Sequence, residues 1–192
     1  MRNLLSTVLL VSAIFLASGC ATTGEPYSSG KSGSVDCDNF RIQSTRSDLK
    51  PATEKNCWSG NVDSVEYVAT NYARHFESGT GYMNALLQVA GHNTLVVHRE
   101  TQALLSGFER VRKEGTGWQE LPSLESNGRK YRLSKFSLAR SMHDCIGYSA
   151  FGNSFEHGYR SILFGYSCKL PQQGRMQVED LQKDLDGLQV RM

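Results

Sequence analysis

CIGYSAFGNSFEHGYRSILFGYSC, residues 145–168, begins and ends with cysteine and turns at its middle. GNSFEHG, residues 152–158, is rich in turn formers, and both flanks are rich in aromatic and apolar residues. An antiparallel hairpin centred on that turn puts Phe151 opposite Ile162, Ser149 opposite Phe164, Gly147 opposite Tyr166 and Cys145 opposite Cys168. Directly opposed residues of a non-hydrogen-bonded pair lie about 4.5 Å apart at Cα, at the short end of disulfide reach. The stretch therefore predicts two paired strands locked by a Cys145–Cys168 bond.

Working outward, KYRLSKFSLA, residues 130–139, is a third strand-like run, so the three form an antiparallel meander. Its alternation falters around Ser134 and Lys135, where a bulge or break is expected. On the other side, QVEDLQKDLDGLQV, residues 177–190, sets Val178, Leu181, Leu185 and Leu188 at helical spacing and predicts a helix packed on the sheet. Upstream, residues 61–77 and 80–91 place their apolar residues on helical arcs, residues 94–99 read as a strand, and residues 101–115 as a helix. Residues 115–128 read as a long loop ending in an Asn-Gly turn. The expected class is α+β: one domain over residues 36–192, an antiparallel sheet with helices on one face.

The amino terminus carries an address. Met1-Arg2-Asn3 precedes an apolar run, Leu4 to Leu16, that is shorter than the roughly 20 residues a membrane-spanning helix needs. Ala17-Ser18-Gly19-Cys20 follows it, the layout of a cleaved signal peptide. This stretch resembles the lipobox of bacterial lipoproteins. The resemblance covers the first twenty residues and implies cleavage after Gly19, with a diacylglycerol thioether and an N-acyl group on Cys20. Ala21, rather than Asp, implies the outer membrane, with the domain facing the periplasm. Residues 20–35, rich in Gly, Ser and Thr, would then be the lipidated tether, spanning on the order of 20 Å. Beyond the lipobox, the C-terminal pattern of a strand bearing Cys and Phe, a Gly-rich turn, YRSILFGYSC (159–168) and a terminal helix resembles that of small proteobacterial envelope lipoproteins, a likeness that implies no activity.

Of the five cysteines, four remain once Cys20 is lipidated. In an oxidising compartment an even set reads as disulfides. With Cys145–Cys168 fixed by the hairpin, Cys37–Cys57 follows by elimination.

Chemistry is sparsely signalled. GKS at residues 30–32 lacks the first glycine and the preceding strand of a phosphate-binding loop. The run from Gly147 to Gly152 misses the nucleophile-elbow spacing by one residue. His75, His92, His98, His143 and His157 are scattered, so no metal and no cofactor are expected; His143-Asp144-Cys145 invites thiol chemistry only if Cys145 is free. Glu100, Glu114, Glu120 and Glu156 could supply a carboxylate pair. The formal net charge of +2 gives no reason to expect nucleic acid. Two features suggest a binding surface: Trp118 in the expected loop, and the basic run Arg129, Lys130, Arg132 and Lys135, suited to an anionic glycan or lipid. The sequence thus points to a non-catalytic envelope module held to the membrane by its lipid, with another envelope protein or an anionic glycan or lipid as partner. A hydrolase built on the scattered acids and histidines, and a surface adhesion or immunity-type binder, are the alternatives.

Overall fold

The computed structural model describes residues 32–34, 41–51, 58–63, 68–91 and 94–191. Among these the strands are β1 (Ser32–Ser34), β2 (Ile42–Ser44), β3 (Lys50–Pro51), β4 (Trp58–Asp63), β5 (Val68–Glu77), β6 (Gly81–Ala90), β7 (Gly115–Ser126), β8 (Arg129–Leu138), β9 (His143–Phe155), β10 (Gly158–Lys169) and β11 (Leu188–Val190). The helices are α1 (Thr101–Leu105), α2 (Glu109–Glu114) and α3 (Val178–Asp186), with one 3-10 turn at Pro171–Gln173.

The hairpin of residues 145–168 forms in the expected register: Cys168 faces Cys145, Tyr166 faces Gly147, and Ile162 faces Phe151. Cys145 and Cys168 are disulfide-bonded, with Cα atoms 4.1 Å apart. The segment contains Gly-Tyr-Ser twice, at 147–149 and 165–167. Antiparallel pairing sets each tyrosine opposite the other strand's glycine. Tyr148 joins the core on one face of the sheet and Tyr166 the core on the other. On each face the tyrosine of one strand thus has a glycine as its cross-strand neighbour.

Among the described residues, this hairpin lies within a nine-stranded antiparallel sheet in the order β1-β4-β5-β6-β10-β9-β8-β7, with β3 pairing on β5. β11 and β2 pair separately. Both faces of the sheet are covered. On one, Leu87, Met83, Leu163, Tyr148, Ile146, Leu133 and Tyr131 pack with Leu181 and Leu185 of α3, Leu188 of β11 and Ile42 of β2. On the other, Leu86, Ile162, Phe164, Tyr166, Phe136 and the disulfide pack with Leu104, Leu105, Phe108 and Val111 of α1 and α2. Gly147 gives Leu105 its seat: a Cβ there would lie 2.0 Å from Leu105 Cδ1. The fold is mostly sheet, and its helices lie on opposite faces rather than on one.

Two expected helices are strands. Residues 58–63 and 68–77 form β4 and β5, and residues 81–90 form β6. Ala69 and Ala73 share one face of β5, and Tyr72 and Phe76 pack on the other. A spacing of four satisfies helical and strand periods alike, so a strand buried on both sides mimics a helix. Residues 94–99 make only an isolated bridge, Val96 to Tyr159. The expected helix over 101–115 is α1 and α2. The terminal helix stops at Asp186; Gly187 caps it and Leu188 begins β11.

Residues 115–126, expected as loop, are the edge strand β7, and the Asn-Gly turn follows with φ of 49° and 70° at Asn127 and Gly128. The disguise is two register shifts, between Thr116 and Gln119 and between Leu121 and Leu124. Each adds a residue to β7, so half-buried residues recur every third position and the alternation is lost. The irregularity expected at Ser134–Lys135 therefore belongs to the neighbouring strand; β8 pairs with β9 in unbroken register from Arg132 to Leu138. Bulges and Pro122 on an outer strand also discourage pairing with another chain. Ser32–Ser34, placed in the tether by the sequence, pair with β4. Cys20, Cys37, Cys57 and His92 lie outside the described residues.

Candidate functional site

The bulges that curl β7 create a groove of about 370 Å³ between that strand and the start of α1. The first bulge turns Trp118 onto the face of Phe136, and the two rings stack with centroids 4.5 Å apart and planes 17° from parallel. Trp118 is half-buried, stacked on Phe136, and lines the groove. Across from it, Glu100 pairs with Arg132 at 3.5 Å, both side chains more than half exposed. Thr101 anchors this wall from beneath. It is buried, and its Oγ1 lies 2.8 Å from Ser149 Oγ and 3.5 Å from the Arg132 carbonyl, which accepts its hydrogen bond. Gln102, Gln119 and Glu120 complete the rim with exposed polar side chains.

Trp118 and Arg132, chosen from the sequence, thus share one groove. The rest of the basic run does not join them. β8 alternates, so Arg129 and Lys135 project to the α3 face: Lys135 pairs with Asp144 at 3.1 Å, and Arg129 donates to the Val190 carbonyl at 3.4 Å. Lys130 is exposed and sits opposite Glu125. The basic run is divided over two faces. Of the candidate acids, the structure brings Glu100 and Glu120 to the groove, places Glu114 on α2, and leaves Glu156 exposed at the hairpin tip. Sequence reading missed Gln102 and Gln119 because amides at no fixed spacing carry no signal until bulges bring them together.

A second cavity, about 210 Å³, lies between α3 and the end of β10. Its polar groups answer one another. Arg46 donates to Asp184 at 2.5 Å and to Asp48, Ser167 Oγ donates to Asp184 at 2.6 Å, and Lys169 pairs with Asp180 at 2.6 Å. Burial raises the Asp184 carboxyl above its usual range, against the pull of Ser167 and Arg46. These contacts tie the β2–β3 connection, β10 and α3 together.

The third cluster surrounds His143. Its Nδ1 lies 3.0 Å from Tyr82 Oη, and Arg110 sits over the Tyr82 ring at 5.5 Å. Burial pushes the Tyr82 hydroxyl up to about 12. Burial lowers the His143 imidazole; the Arg110 charge lowers it further and Glu114 opposes both. His143 is therefore held neutral in the fold below the pH at which an unfolded chain protonates it. The stability this gives is complete above pH ~6.5 and falls as pH drops through that value toward the folded pKa. Chemical denaturation from pH 7.5 to 5 should show a decline in stability that is shallower in His143→Gln. Parallel curves for the two proteins would contradict the assignment. Cys145, beside this histidine, is fully buried in its disulfide, so it is no free thiol.

Among the described residues no three His, Cys, Asp or Glu side chains gather to hold a metal, and no helix is long and apolar enough to cross a membrane. No protein-family profile, curated protein or solved structure matches this chain.

Proposed function

We propose that this chain is a bacterial envelope lipoprotein, anchored through Cys20 to the outer membrane and facing the periplasm. Its folded domain binds another envelope component without transforming it. The observation that carries the binding reading is the convergence of Trp118 and Arg132 on one groove, on a sheet packed on both faces. Clefts of about 300–1,000 Å³ with an aromatic wall and a few placed polar groups are where proteins hold small ligands. The lipobox supports the anchor, because two or three acyl chains hold a protein at a membrane where one does not.

Two measurements test the reading. Cys20→Ser should leave the envelope membrane fraction, and the wild-type chain should carry a diacyl or triacyl mass on Cys20; a membrane-bound Cys20→Ser protein with no acyl mass on wild type would remove the anchor. A photoreactive phenylalanine analogue at position 119 should cross-link to an envelope component in cells, and Trp118→Ala should abolish the product. No cross-link, or one indifferent to Trp118, would remove the groove.

Hydrolysis is the second reading, favoured by Glu100 and Glu120 lining the same groove. Release of reducing ends from envelope glycans by the wild type, lost in Glu120→Gln, would replace binding by catalysis.

A further inference from the structure

We infer that the ligand of the Trp118–Arg132 groove is an uncharged, polyhydroxylated glycan, an assignment that rests on the groove being the binding site. The argument starts from charge. The basic run suggested an anionic ligand, but only Arg132 of that run reaches the groove; there it pairs with Glu100, and a second carboxylate, Glu120, lines the same groove. A polyanion would face a lining with one negative charge in excess, and a charged group of either sign would have to compete with the Arg132–Glu100 pair already made. A ligand without net charge meets neither penalty.

The functional groups fit a sugar. Each hydroxyl both donates and accepts, so Glu100 and Glu120 can accept from hydroxyls to which Arg132 donates. The amides of Gln102 and Gln119 do both. The Arg132–Glu100 pair is half exposed, at 3.5 Å, and its spare donors and acceptors stay open. A planar indole presents an apolar surface on which the C–H face of a pyranose ring stacks. Here that indole is pinned against Phe136 and backed by Gly115, whose added Cβ would lie 3.0 Å from Trp118 Cζ2. A platform already fixed loses little freedom on binding, which favours the weak individual contacts that sugars make. Buried Ser134 and Thr101 hold the floor.

The test is a titration of the full chain with tetra-N-acetylchitotetraose and with maltotetraose, observed at the Trp118 indole N–H resonance and assigned by its loss in Trp118→Phe. A saturable shift with either sugar is expected. Arg132→Ala and Glu100→Gln should each weaken it by about tenfold, equal to ~1.4 kcal/mol. Both residues are exposed, so these variants keep their fold, checked by an unchanged thermal midpoint. Binding of a polygalacturonate oligomer or a lysine tetrapeptide in place of the neutral sugars would overturn the assignment. So would a flat response to both sugars. If the position-119 cross-link to an envelope protein persisted in that case, the groove would stand as a protein site and only the glycan would fall. If the cross-link failed as well, both readings would fall together.

Discussion

Gly165→Ala is expected to lower stability by about 4 kcal/mol. Gly165 lies mid-strand in β10, between Tyr148 on one side and Ala85 on the other. A Cβ there would be 2.0 Å from the Asn84 carbonyl oxygen and 2.7 Å from Tyr148 Oη. The first obstacle is backbone of a central strand, and the second belongs to a fully buried ring. Tyr148 also donates to that same carbonyl at 3.0 Å. Burial keeps its hydroxyl protonated to well above its usual range, so the donor is always present. Relieving the clash therefore means moving β6 or expelling the tyrosine. Overpacking costs about 1–3 kcal/mol, and a buried hydrogen bond left unmade about 1–3 kcal/mol. At about 2–4 °C per kcal/mol for a domain of this size, the thermal midpoint should fall by ~8–16 °C. Gly79→Ala is the control: nothing lies within 4 Å of its added Cβ. If the two variants melted together, the close approach of strands at Gly165 would be wrong.

Replacing both Cys145 and Cys168 by Ala should cost about 3 kcal/mol. The bond closes a loop with a sequence separation of 23 residues. In the chain-entropy account, such a loop restricts the unfolded state by roughly that amount. Position amplifies the effect. The two cysteines are 0% and 1% exposed, and they lie between Phe136 and Tyr82 in a row across β8, β9, β10 and β6. Loss of the sulfurs also thins the packing beneath α1 and α2. The expected midpoint shift is ~6–12 °C downward. A second consequence follows from burial: reductant cannot reach the bond in the folded protein. Labelling of Cys145 and Cys168 in dithiothreitol, located by peptide mapping to separate them from the other cysteines, should therefore appear at the rate of unfolding and accelerate with denaturant. Immediate labelling of these two residues under native conditions, or a double variant as stable as wild type, would refute the account.

Local sequence determined the features whose partners are near along the chain. The hairpin register follows from a turn flanked by two strand-like runs, and it fixes the disulfide. The Asn127–Gly128 turn, the α1–α2 region and the Leu181–Leu185 stripe of α3 are legible for the same reason: propensity and periodicity act over a few residues. Trp118 and Arg132 were legible as residues, but not as neighbours.

Tertiary structure decided the rest. Whether residues 68–77 and 81–90 are helix or strand depends on a second covered face, which only the opposite placement of α3 and of α1–α2 supplies. β7 reads as loop until its two extra residues are set against β8. The basic run becomes two separate sets because strand alternation sends Arg132 one way and Arg129 and Lys135 the other: Arg132 and Arg129 toward Glu100 and Val190, distant in sequence, and Lys135 toward Asp144 on the next strand. Burial on both faces erases the alternation by which strands are recognised, and bulges shift it out of step. Both are properties of neighbours, and the chain names its neighbours only by folding.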